Sequence, residues 1–252
     1  MSRPSLAQKP QPAGGDVGLA DTDYPGDRLE RLRRKVAGRI VFTTSFGVED
    51  QVILHLIAER QLAIEIATLD TGRLFPSTYA LWAETERKYG VRITSFSPDQ
   101  QALQSLVATQ GINGFYHSVE ARLACCRVRK VVPLGSALIG ASAWVTGLRA
   151  DQSGGRAGVD LQTWDEARAM IKFAPLFDWT REQAVKFCAL EQVPVNPLHA
   201  DGFVSIGCEP CTRAIVAGED ERAGRWWWEN NEVRECGLHV GPDGRLVRKS
   251  TE

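Results

Sequence analysis

The chain has 252 residues, 43% apolar and 24% charged, with a formal net charge of −1. That suffices for one large α/β domain with a real core and leaves no overall positive field for nucleic acid. No stretch approaches the ~20 apolar residues of a transmembrane helix. Residues 1–26 lack the apolar segment of a signal peptide, so a disordered leader and a cytoplasmic protein are expected.

Residues 27–38 read as a charged amphipathic helix closed by Gly38. Residues 39–45 form a β-branched run, hence a strand, and 48–61 restore the helical period. A second strand follows at 62–70, then a helix at 76–90, opened by Pro76 and stopped by Gly90. Further strands are predicted at 91–96, 141–149 and 170–178. Strands alternating with helices predict a mostly parallel sheet covered on both faces, with ligands beyond the carboxyl ends of its strands. No internal repeat is visible, and past about residue 195 the pattern becomes irregular.

Three strand tips then converge on that edge. TTSFGVED (43–50) leads from the first strand into a helix, and Ser45 and Gly47 would let backbone N–H groups close on an anion there. It is no Walker A loop, because no Gly-Lys-Ser/Thr follows. TLDTGRLFP (68–76) places Asp70, Thr71 and Gly72 at the second tip, and VTGLRADQSGGR (145–156) carries Arg149 and Arg156 from the fourth.

Six cysteines are too few for a disulfide scaffold and in a reducing compartment suit metal or catalysis. Cys125 and Cys126 are adjacent, a poor geometry for a mutual disulfide. Cys208 and Cys211 form a second pair in GCEPC. Together the four suit either an iron–sulfur cluster or a Cys₄ zinc site, although two adjacent cysteines make a poor zinc knuckle. Cys188 reads as a small buried apolar residue and His55 as a core or surface histidine. Trp226–Trp228 read as packing for the C-terminal segment. Cys236 stands alone near the end.

The stretches TTSFGVEDQV, LDTGRLFP, CCRVRKVVPL, VTGLRADQS, APLFDWT, VPVNPLHADGFVSIGCEPCTR and ECGLH, in this order, resemble the adenylylsulfate/phosphoadenylylsulfate reductase family. The resemblance runs over roughly residues 28–240. It implies an adenine-nucleotide α-hydrolase-like fold, with TSFG as a modified pyrophosphate loop. It also implies reduction of adenylyl sulfate to sulfite and AMP by thioredoxin or a glutaredoxin-like reductant. Members carrying both CC and GCEPC hold a [4Fe–4S] cluster, so Cys125, Cys126, Cys208 and Cys211 would be its ligands. Cys236 would be the nucleophile, carried on a mobile segment at 219–252 behind a reductase domain at 27–218.

Ser45, Phe46, Gly47, Leu69, Asp70 and Gly147 would then contact the nucleotide, while Lys130, Arg149, Arg156, Arg222, Arg225 and His239 supply charge for its phosphate and sulfate. Arg122, three residues before the cysteine pair, stands where the resemblance implies histidine. Alternatives are a reductase of the 3′-phosphorylated nucleotide, a thiolating pyrophosphatase of the same fold, or a metal-stabilised nucleotide sensor without turnover. A homo-oligomer is plausible.

Overall fold

The protein is described here by a computed structural model that places residues 24–152, 156, 158–229 and 237–238. Among these residues six strands form one sheet: β1 (Arg39–Thr44), β2 (Glu65–Leu69), β3 (Thr94–Phe96), β4 (Ala141–Val145), β5 (Gln162–Asp165) and β6 (Met170–Phe173), in the order β3-β2-β1-β4-β6-β5. All neighbours run parallel except β5, which closes the edge as an antiparallel hairpin with β6.

The sheet is buried on both faces, which is why β1 and β4 read as nearly continuous apolar runs. Side chains alternate across a strand. Ile40, Phe42, Ala143 and Val145 therefore enter one core with α1 (Pro25–Lys35), α2 (Val48–Glu59), α3 (Pro76–Tyr89) and α7 (Arg181–Leu190). Val41, Ala67 and Trp144 enter the other, against α6 (Val132–Ala137). Burial of each large apolar side chain contributes about 1.5–3 kcal/mol, so a polar substitution at Phe42 would disrupt the first core.

The helix ends follow their sequence signals. Pro76 starts α3, and Gly90 ends it at φ 65°, a left-handed conformation that glycine adopts without strain. Thr180 and Gln183 close a capping box on α7. Buried Arg28 fastens α1 to the segment after β6 through two bonds to Asp178, of 2.7 and 2.6 Å, and one of 2.8 Å to the Pro175 carbonyl.

Several boundaries differ from the sequence expectation. The strand expected at 141–149 stops at Val145, so Thr146–Arg149 form the loop beyond its tip. The strand expected at 170–178 stops at Phe173, and the first helix begins at Pro25 and ends at Lys35. β5 and two helices, α4 (Gln100–Gln110) and α5 (Val119–Cys126), were not anticipated. After α5 the chain makes a π turn at Arg127–Val131 before α6. Past residue 195 only short 3₁₀ turns occur among the described residues, as the loss of pattern suggested.

Candidate active site

A cavity of about 210 Å³ opens at the carboxyl ends of β1, β2 and β4, lined by Thr43–Gly47, Thr68, Leu69, Thr71, Thr146 and Gly147 among others. The TSFG turn is held from several sides. Phe46 sits at φ 62°, costly for a residue with a side chain. Its ring is buried and stacks on Trp82 with centroids 5.8 Å apart, and its N–H donates to Thr44 Oγ1 at 2.9 Å. Asp50, in the first turn of α2, accepts from both the N–H (2.6 Å) and the hydroxyl (2.8 Å) of Ser45. Gly147 lets that carboxyl approach the β4 loop, since a Cβ there would lie 2.2 Å from Asp50 Oδ1. Burial raises the Asp50 pKa to about 6 against the opposing hydrogen bonds from Ser45, with the nearby charge of Glu49 adding to the rise.

Cations and acids share the walls. Lys130, Arg156, Arg181, Arg222 and Arg225 line the cavity, as do Glu49, Asp50 and Glu221. Arg149 lies beneath it, fully buried, with its guanidinium bonded to Glu49 (2.8 Å), Asp151 (3.1 Å) and Glu221 (3.0 Å). It thereby neutralises two carboxylates that face the cavity. Burial still raises the Glu221 pKa, outweighing the attraction of Arg149. Two polar atoms at the wall, Thr146 Oγ1 and Arg225 Nε, are buried without a hydrogen-bond partner among the described residues. Such orphaned groups are costly unless a ligand or water satisfies them.

Beside the cavity, Cys126, Cys208 and Cys211 gather in one buried cluster with Phe115 and Trp226, and half-buried Cys125 and Trp228 pack against it. Cys125 and Cys126 end α5, while the other pair is brought in by the Leu74–Cys208 bridge and the Glu209 N–H to Arg73 carbonyl bond of 2.8 Å. The donor set, four thiols in one pocket, is the complement that an iron–sulfur cluster takes.

The surrounding charges also favour an anionic centre. Burial opposes the Cys208 thiolate, but Lys130, the Thr71 hydroxyl 3.3 Å from the sulfur, and Arg225 outweigh it and bring the pKa below the usual thiol value. Burial raises Cys125, partly countered by Arg129, and pushes Cys211 up to about 11.

Of the residues singled out from sequence, Ser45, Phe46, Gly47, Leu69, Lys130, Gly147, Arg156, Arg222 and Arg225 meet at the cavity. Asp70 does not line it: its carboxylate accepts from the Gly72 N–H at 2.9 Å and the Tyr79 hydroxyl at 2.7 Å. Nor does Arg149. Cys236 and His239 lie outside the described residues, but Leu238, two positions after Cys236, lines the cavity. Sequence reasoning missed Asp50, Thr146 and Arg181. Arg181 had a signal, since it opens the capped helix that follows β6.

Elsewhere, Cys188 is a buried core residue, and His55 packs edge-on against Tyr89 and Phe187. Trp226 is 1% exposed, and Trp228 packs on Phe115 and Tyr116. No helix among the described residues is long and apolar enough to cross a membrane.

Comparison with known proteins agrees with this geometry. Residues 39–214 match the phosphoadenosine phosphosulfate reductase domain. The chain is 57% identical over 225 residues to an adenosine 5'-phosphosulfate reductase of Agrobacterium fabrum, covering 89% of this chain and 86% of that protein. It is 58% identical over 203 residues to the protein of the same name from Sinorhizobium fredii, covering 81% of each. Among solved structures, the phosphate complex of phosphoadenylyl-sulfate reductase from Candida auris has the same fold, with a TM-score of 0.66 at 22% identity, covering 79% of this chain and all of that one.

Proposed function

This chain belongs to the phosphoadenosine phosphosulfate reductase family, and from that membership we propose that it reduces adenylyl sulfate to sulfite and AMP, with thioredoxin or a similar dithiol as reductant. The relatives at 57% and 58% identity bear the name of that activity. The observation that carries the reading is Lys130. It lines the cavity, and its charge also acts on the Cys208 sulfur, so one cation serves both the substrate site and the cysteine cluster.

The substrate is a mixed phosphate–sulfate anhydride, which calls for positive charge around two tetrahedral groups and one soft nucleophile. Gly47 at the TSFG turn would lie beside the phosphate, the Ser45 and Phe46 N–H groups being committed to Asp50 and Thr44. Arg156, Arg222, Arg225 and Lys130 would hold the sulfuryl oxygens, arginine by its two-pronged donation. Thr146 Oγ1 and Arg225 Nε, lacking partners, are suited to hydrogen-bond the nucleotide. Arg149 serves from below, keeping Glu49 and Glu221 neutralised so that they do not repel the dianionic end of the substrate. His239 would add a donor three residues beyond the nucleophile.

The Cys236 thiolate attacks the sulfuryl sulfur, the bond from sulfur to the bridging oxygen breaks, and AMP leaves with that electron pair. A thiolate of the reductant then attacks Cys236 Sγ, sulfite departs with the electron pair of the Sγ–S bond, and the second thiol resolves the mixed disulfide to restore Cys236. The two electrons thus come from the dithiol. Cys125, Cys126, Cys208 and Cys211 would hold the [4Fe–4S] cluster, which when bound supplies a fixed charged centre beside the cavity.

Intact mass after anaerobic incubation with adenylyl sulfate, without reductant, tests the scheme. An added SO₃ on the Cys236 peptide, removable by thioredoxin, is expected. A protein that turns over while Cys236 stays unmodified would overturn it.

A further inference from the structure

We propose that Arg122 and Glu229 form a positioning clamp that joins the cysteine-bearing helix to the base of the segment leading to Cys236, so that ligation of the cysteines is felt at that base. This rests on the functional reading above, but its observations are separate. Arg122 Nε donates to Glu229 Oε1 and Nη2 to Oε2, both at 2.8 Å, a two-pronged pair spanning the fold from α5 to the last turn before residue 230. The side chains are only 2% and 3% exposed. A buried pair of this kind has no solvent to replace a lost partner, so it holds in one geometry or releases altogether.

Arg122 is also four residues before Cys126, on the same helix face, and the charge of that sulfur acts on it. The residue that grips the carboxylate of the C-terminal segment therefore stands one turn from a cysteine of the cluster. Its third neighbour is Trp226, whose ring centroid lies 4.7 Å from the Arg122 guanidinium and 4.7 Å from that of Arg225, with Arg222 at 6.0 Å. The Trp226 N–H donates to the Cys211 carbonyl at 3.1 Å, tying the same turn to the second cysteine pair.

The clamp thus links both cysteine pairs to Trp226, and through that ring to two arginines that face the cavity. A thiolate held by iron would fix the turn of α5 that carries Arg122. When that ligation is lost, the turn from Arg222 to Glu229 loosens.

Hydrogen exchange of the peptide covering 222–229, measured on iron-loaded protein and again after anaerobic chelation, tests the coupling. In the unaltered chain, exchange should rise about tenfold when iron is removed. Glu229→Gln, which keeps the side-chain shape, should retain iron and its visible absorbance yet exchange fast in both states. In the same variant, single-turnover sulfonation of Cys236 should slow about 10–100-fold while AMP affinity stays within about twofold, the pattern of mispositioning rather than lost binding. If Glu229→Gln does not fold, Arg122→Lys, which keeps the charge but loses the fork, is expected to show the same decoupling. An unaltered chain that binds iron but exchanges identically with and without it overturns the clamp alone. A protein that binds no iron overturns the cluster assignment and the coupling with it, while leaving chemistry at Cys236 to be judged by mass.

Discussion

Asp50 shows how one buried carboxyl can set the pH behaviour of the loop around it. Its pKa is raised to about 6 from the ordinary 3.8, chiefly by burial, with Glu49 on the same helix adding to the rise. A raised carboxyl pKa means the folded protein binds the proton more tightly than the unfolded chain does. Its neutral form is therefore fully accommodated below pH ~4. The cost of ionising it accumulates between pH ~4 and ~6, reaching roughly 3 kcal/mol above that window. Asp50→Asn keeps an oxygen to accept from Ser45 and removes the charge. Its melting temperature should match that of the unaltered protein near pH 4 and exceed it by roughly 6–12 °C above pH ~6.5. Parallel melting curves across the range would show that Asp50 does not titrate there. The loop was legible in the sequence, because Ser45 and Gly47 follow a strand and open a helix. The burial of Asp50 was not, since acids in a first turn are an ordinary helix signal. The commitment of Arg149 was equally hidden: its partners Glu49 and Glu221 lie 100 and 72 residues away along the chain.

Elements were most legible where they are anchored in the core. α2 and α3 bury residues along their length, whereas the apolar stripe of α4, Ala102, Leu103, Leu106 and Val107, is only half-buried. β5 has four residues and pairs only at the sheet edge, too short for alternation to stand out. The π turn at Arg127–Val131 has a local cause in Pro133. In a regular α-helix its ring would collide with the Arg129 carbonyl and its missing N–H would leave a bond unmade. Instead the Val132 N–H reaches back to the Arg127 carbonyl, five residues earlier. The wider turn re-aims the residues that follow, and here it lets Arg129 donate to the Thr71 carbonyl at 2.5 Å while Lys130 reaches the cavity. Pro133→Ala permits a continuous α register, which would rotate this segment by up to roughly 100° against the site. The expected result is a 10–100-fold loss in kcat/KM for adenylyl sulfate, with a melting temperature unchanged or slightly higher. Unchanged kinetics would mean that the turn is set by packing alone.

At the scale of the molecule, the cysteine cluster joins parts of the chain that secondary structure alone leaves loosely connected. Cys125 and Cys126 belong to α5, whereas Cys208 and Cys211 sit in a segment held by little regular structure. The contacts that bring them together include the Leu74–Cys208 bridge, the Glu209 N–H to the Arg73 carbonyl, the Thr71 hydroxyl beside the Cys208 sulfur, the Tyr116 hydroxyl to the Pro210 carbonyl at 2.6 Å, the Trp226 N–H to the Cys211 carbonyl, and the Arg122–Glu229 pair. Iron held by all four sulfurs would act as a cross-link closing a long loop, and cross-links of that kind stabilise by about 2–4 kcal/mol, mainly through the entropy of the unfolded chain. The sheet does not depend on it, because both of its cores are complete without the cysteine cluster. Anaerobic chelation should therefore lower the melting temperature by roughly 4–16 °C while leaving the far-ultraviolet circular dichroism of the folded state nearly unchanged. The same loss should follow from Cys211→Ser in protein never exposed to chelator. If both preparations melted with the iron-loaded protein, the four cysteines would be packing residues. The link between α5 and the segment after residue 195 would then rest on contacts such as the Arg122–Glu229 pair and the packing of Arg122 on Trp226.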